Sequence, residues 1–320
     1  MFRPLSFLCP TAVLALAALG ACATGPGASR PVGAAPDDPV EMVRVLSSEA
    51  MAGRRAGSPG GAAARAYLTA QLEASGLAAT EQPFAYESRR GAGSGVNLLT
   101  RIDGTDDLAP VLVVTAHYDH LGARGGVVFS GADDNASGVA GAVALARALR
   151  ADPARHDVIV VLTDAEEMGL QGARALFGGG PLTGQPVAAA LNLDMIGRDD
   201  GDELYAVGTH HWPALRAPLE TVAADAAVPL AFGYDAPTDD PRDDWTMLSD
   251  HAAFHERGVP FVYLGVEDHA DYHRPSDTFE NLDADFFLGA VATAERVLRA
   301  LDEAAAAGIV APRGPLAPGS

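Results

Sequence analysis

Four apolar runs set the terms for this chain: "APVLVVTA" (109–116), "DVIVVLTD" (157–164), "AAALNLD" (188–194) and "VPFVYLG" (259–265). Each is continuous rather than alternating, so each predicts a strand covered on both faces. Between and around them lie segments, several Ala-rich, with Leu and Val at three- and four-residue spacing, at 40–49, 61–75, 138–150, 213–226 and 281–305, which predict helices. Further strands are expected at 96–102 and 203–207. Such alternation builds an α/β fold: a mostly parallel, doubly wound mixed sheet with helices on both faces, in a single domain.

In open α/β sheets the ligand site gathers outside the carboxyl ends of the strands. Those ends carry this chain's chemistry. "HYDH" (117–120) follows the first run, "AEE" (165–167) the second, and "DM" (194–195) the third. Two other segments join them, "GADDNASG" (131–138) and "DYHRPSDT" (271–278). Carboxylates converging from all of these on one crevice would repel one another or take up protons unless a cation sat among them. Imidazoles mixed with carboxylates, without thiolates, suit zinc or another borderline divalent metal better than calcium or magnesium, and so many ligands suit two ions better than one.

Composition removes several other chemistries. A formal net charge of −20 argues against nucleic acid as a partner, since phosphate binding needs clustered Lys and Arg. Every basic residue is an Arg, so Schiff-base, pyridoxal-phosphate and P-loop chemistry are excluded. No G-x-S-x-G occurs, which disfavours a serine hydrolase.

The N-terminus reads as a processing segment. Arg3 precedes an apolar stretch from Leu5 to Leu19, of h-region length and short for a membrane span, and "LGAC" (19–22) resembles the lipobox of bacterial lipoproteins. Residues 1–22 are therefore expected to be a lipoprotein-type signal peptide, with an ordinary signal peptide cut near "ACA" as the alternative. Either way the protein is exported to the cell envelope, and its membrane contact would be a lipid on Cys22. Cys9 lies in the removed segment, so no internal disulfide can form. Residues 23–38 are expected to be a flexible linker, 39–306 the catalytic domain and 307–320 a loose tail.

"AHYDHLG", "GADDNASG", "DAEEMGLQG", "LNLDMIGR" and "YHRPSDT", in this order over most of residues 40–305, make the chain similar to the secreted bacterial aminopeptidases with paired co-catalytic zinc ions, metallopeptidase clan MH. The resemblance implies a zinc exopeptidase fold and two zinc ions per chain. It implies that His117 and Asp194 hold one ion, Glu167 and His273 the other, and that Asp134 bridges them. Asp119 would orient the His117 imidazole, and Glu166 would be the general base. Two divalent ions against three ligand carboxylates leave one positive charge, which a hydroxide would balance. The implied reaction removes one amino acid from a peptide with a free amino terminus.

Other residues have plainer expectations. Asp133 is expected to cap the helix beginning near Asn135. His120, His210, His211 and His269 are read as non-ligands, and "DDPRDD" (239–244) as a solvated loop. "SDHAAF" (249–254) resembles a pocket-lining segment of the family, but ordinary helix capping explains it equally well. A glutaminyl cyclase relative of the same fold is expected to work with one zinc. A carboxypeptidase relative would need a basic pocket, for which Arg198 and Arg274 are the candidates.

Overall fold

In the computed structural model, Met1 and residues 38–314 are described, except residues 90, 109, 199, 200 and 202. The expected leader beyond Met1, including Cys22, and the linker up to residue 37 lie outside the described residues.

The body opens with α1 (Pro39–Leu46), whose first turn is capped by the Asp38 carboxylate accepting the Val40 and Glu41 N–H groups at 3.0 and 3.3 Å. α2 (Pro59–Ala74) begins the same way, with Ser58 Oγ accepting from the Gly61 N–H. Then come β1 (Thr80–Ser88), β2 (Gly91–Ile102) and β3 (Val111–His117). A two-stranded ribbon of β4 (Ala123–Arg124) and β5 (Val127–Val128) precedes α3 (Gly138–Ala151). The chain continues through β6 (Val158–Thr163), α4 (Gln171–Ala175), β7 (Val187–Leu193), β8 (Leu204–Val207), α5 (Arg216–Ala223) and β9 (Leu230–Phe232). It closes with α6 (Ala252–His255), β10 (Phe261–Gly265) and α7 (Ala284–Ala306).

The main sheet has eight strands in the order β1-β2-β6-β3-β7-β10-β8-β9. Its centre, β6-β3-β7-β10, is parallel throughout; β2 pairs antiparallel with β6 and β8 antiparallel with β10. Every residue of β3, β6, β7 and β10 is buried, as their continuous apolar runs require. Alternation along β7 shows what covers each face. Leu193 faces α3 at Gly141, whereas Asn192 donates to Ser249 Oγ beside α6 on the opposite face. α7 packs on α3 and β7 through Phe287, Ala290, Ala294, Val297, Leu298 and Leu301, a helical stripe at three- and four-residue spacing. Parallel register brings the carboxyl ends of β3, β6 and β7 side by side, with His117 opposite Thr163.

The five expected helices and six expected strands are all present, with ends shifted by a few residues. Not expected were β1 and the start of β2, which are largely polar or Gly-rich, and β9, the β4–β5 ribbon, α4 and α6, which at five residues or fewer are too short to show a period. β1 is an edge strand with Pro83 inside it and an exposed or half-exposed pattern throughout. The start of the expected loose tail is docked: Val310 is buried, the Arg313 N–H donates to the Gly258 carbonyl at 2.8 Å, and its guanidinium lies 4.1 Å over the Trp212 ring.

Candidate metal centre

His117 ends β3 and Asp194 follows β7 directly, so the parallel pairing of these strands puts the two side chains together, with His117 Nε2 3.2 Å from Asp194 Oδ1. Asp134 reaches them from the loop before α3. Its Oδ1 is 3.4 Å from His117 Nε2, while its Oδ2 is 3.1 Å from His273 Nε2 and 3.6 Å from His120 Nδ1. Glu167, in the turn after β6, brings Oε1 to 3.0 Å from His120 Nδ1 and 3.4 Å from His273 Nε2. The two oxygens of one carboxylate thus face two different groups of donors. In each of the sets His117–Asp134–Asp194 and His120–Asp134–Glu167 the ligand atoms lie within 4.8 Å of one another.

This donor set fits divalent metal. His120 is fully buried, yet neither ring nitrogen has a hydrogen-bond partner, and the buried Glu167 Oε1 has none either. Polar atoms left like this inside a protein are costly unless something else satisfies them. Electrostatics point the same way. Burial disfavours charge on Asp134 and Glu167, but the surrounding imidazoles hold both carboxyls below their usual range. Burial also disfavours a charged His273, yet Asp134 and Glu167 push it up to about 10. Glu166 differs: burial holds its carboxyl well above the usual range, with only His117 pulling strongly the other way.

The supports are built from the backbone. Asp119 was expected to orient the His117 imidazole with its side chain. Instead its main-chain carbonyl lies 3.0 Å from His117 Nδ1, while the carboxylate stands at 3.7 Å and accepts the Glu166 N–H at 3.0 Å. Asp119 therefore braces both His117 and Glu166, by different atoms.

Asp133 is not the helix cap. Its Oδ1 accepts from the Gly197 N–H and Ser137 Oγ, and its Oδ2 lies 3.0 Å from His269 Nε2, so Asp133 ties the loops after β7 and β10 to the loop before α3. Ser137 occupies the N-cap of α3 without a side-chain capping bond, and Asn135 Oδ1 accepts the Gly138 N–H at 2.9 Å. "SDHAAF" holds the site too, since Ser249 Oγ donates to Asp194 Oδ2 at 2.6 Å. His120, read from the sequence as a bystander, stands inside the cluster. His210 and His211 pair with each other's rings away from it, and His269 serves Asp133.

Sequence reasoning also missed Arg54. It is fully buried and donates to the carbonyls of Leu46, Tyr118, Ser130 and Gly131, clamping the two loops that carry His117 to His120 and Asp134. Asp277 completes the frame by accepting the Asp133 and Asp134 N–H groups at 2.9 and 3.1 Å. An Arg beside another Arg in a Gly-rich turn carries no local mark of burial.

A cavity of about 390 Å³ opens over the cluster. Glu166 and the ligand candidates form its floor; Leu170, Met195, Trp245, Leu248 and Tyr272 give it apolar walls, and Asp268 adds one more acid. Arg198 and Arg274 do not line it, and Arg198 is engaged by Asp271.

The family model described as Peptidase family M28 matches residues 97–297. Aminopeptidase YwaD of Bacillus subtilis (strain 168) is 28% identical over 189 residues, covering 54% of this chain and 37% of its own length. The chain spans 23% to 37% of the length of the first curated relatives it matches. Among solved structures, a Porphyromonas gingivalis glutaminyl cyclase superposes with a TM-score of 0.64 at 22% identity, covering 84% of this chain and 98% of that one. BSAP, a zinc aminopeptidase from Bacillus subtilis, gives 0.63 at 16% identity, covering 83% and 95%. At these identities the structural likeness speaks for a common fold.

Proposed function

The chain belongs to peptidase family M28, and from that premise we propose that it is a metal-dependent aminopeptidase working with two zinc ions. The observation that carries the reading is Asp134, whose Oδ1 faces His117 and whose Oδ2 faces His273. His117 and Asp194 would hold one ion and Glu167 and His273 the other, with Asp134 shared. Bound there, the ions would supply Lewis acidity to the scissile carbonyl and lower the pKa of the attacking water.

The chain's own residues do the rest. Glu166 stands on the cavity floor with its backbone fixed by Asp119. Its carboxyl, raised by burial, suits a group that takes a proton from water and returns it to the leaving amine. Asp268, an acid outside the proposed ligand set, favours an α-ammonium group over a blocked terminus. The walls of Leu170, Met195 and Leu248 favour an apolar first side chain. Export to the cell envelope, with Cys22 as a lipid anchor, belongs to the same proposal.

A panel of chromogenic amino-acid amides, each with and without an N-acetyl block, tests it. Cleavage of the unblocked amides alone, with apolar residues favoured, is the expected result. Equal turnover of the acetylated set would remove the aminopeptidase reading. Cyclisation of an N-terminal glutamine without hydrolysis of the other amides would replace it with a glutaminyl cyclase.

A further inference from the structure

We propose that His120 is a ligand of the second ion, so that four protein donors close this half of the centre: His120 Nδ1, Glu167 Oε1, His273 Nε2 and Asp134 Oδ2. The proposal rests on the two-ion reading above and adds a residue to it. The half at His117, Asp194 and the shared Asp134 then has one protein donor fewer and is the more open of the two.

Distances give the first argument. Zinc–ligand bonds of about 2.0–2.1 Å in a tetrahedron place neighbouring donor atoms about 3.3 Å apart. Four of the six edges of the proposed tetrahedron measure 3.0 Å (His120–Glu167), 3.6 Å (His120–Asp134), 3.1 Å (His273–Asp134) and 3.4 Å (His273–Glu167). They bracket the expected value.

The His120 ring itself is left without partners. A neutral imidazole has one donor and one acceptor nitrogen, and a buried one normally satisfies both. Here neither is satisfied, in a side chain with no exposure. The nearest charged group to Nδ1 is Glu167 Oε1, at 3.0 Å, and neither atom has a hydrogen-bond partner. An imidazole nitrogen and a carboxylate oxygen brought this close in a buried site are arranged to share an ion. The surroundings hold the ring there: a Cβ on Gly131 would lie 2.6 Å from both Cγ and Cδ2 of His120, so the Gly131 backbone packs directly against the imidazole.

The consequence is a division of labour. A site closed by four ligands resembles structural zinc sites, whereas a site with three keeps a place for water or substrate. The ion at His120 should therefore bind more tightly and fill first.

The test is cobalt and zinc titration of the metal-free full-length protein, wild type beside His120→Ala, with circular dichroism to check folding. Wild type should take two ions per chain, the tighter one with the intense visible absorption of four-coordinate cobalt. In His120→Ala that affinity should fall at least roughly 10- to 100-fold, the range already seen for losing a ligand's supporting partner, and the absorption of the first ion should change. A folded variant that binds both ions with wild-type affinity and spectrum overturns the role of His120 and leaves the two-ion reading intact. Fewer than two ions in the wild type would instead remove the two-ion reading, and His120 as second-ion ligand with it. Should the variant fail to fold, a crystal structure of the zinc-loaded wild type decides: Nδ1 within about 2.1 Å of zinc supports the assignment. A zinc ion bound by Glu167 and His273 with His120 standing off overturns it.

Discussion

Glu166 and Glu167 are neighbours in sequence with opposite surroundings, and they should fail differently when changed. Glu167 Oε1 faces His120 and His273, whereas Glu166 stands on the cavity floor with burial raising its pKa. Glu166→Gln should keep its metal and lose turnover by roughly 10²- to 10⁴-fold, the usual cost of removing a general base. Glu167→Gln puts a neutral amide where an anionic ligand is proposed, so zinc affinity should fall and excess zinc should recover part of the activity. Metal titration of the two variants side by side checks this, and rescue of Glu166→Gln instead would reverse the roles. Asp119 gives a third case. Because its carbonyl serves His117 and its carboxylate serves Glu166, Asp119→Ala should retain zinc while turnover falls. Loss of zinc on dialysis would show that the carboxylate matters to His117 after all.

Among the elements, helix ends and the loop before α3 separate fold from site. Asp283 caps α7 by accepting the Asp285 and Phe286 N–H groups at 3.1 and 3.0 Å, so Asp283→Ala should cost about 1 kcal/mol in denaturant unfolding and leave metal affinity unchanged. Gly131 is a different kind of position. Its φ of +59° is left-handed, and an added Cβ would meet the Asp134 carbonyl at 2.1 Å, so Gly131→Ala should lower both melting temperature and zinc content. A variant with normal zinc content would show that this loop relaxes without moving Asp134. The same contrast explains what the sequence could reveal. β3, β6, β7 and β10 were legible because burial on both faces imposes an unbroken apolar run, and His117 and Asp194 were legible because they end such runs. β1 was not, since an edge strand keeps half its residues in water. His120 and Arg54 were missed for a related reason: their burial is set by the folding-together of distant loops, and a polar residue in a turn reads as exposed.

For the molecule as a whole, family membership, fold and site converge on one surface at the carboxyl ends of a parallel sheet. The acids placed there sit in a chain of net charge −20 with no Lys anywhere to offset them. Removing metal should leave Asp134, Glu167 and Asp194 in mutual repulsion and lower the melting temperature, with excess zinc restoring it by linkage. Chelation that abolishes activity without moving the melting temperature would show that the body tolerates those charges. If Asp134 joins two ions through its two oxygens, zinc content after dialysis, wild type beside Asp134→Asn, should be two ions per chain in the wild type and one or none in the variant; a wild type holding a single ion, or an Asp134→Asn variant holding two as tightly, would contradict that role for Asp134.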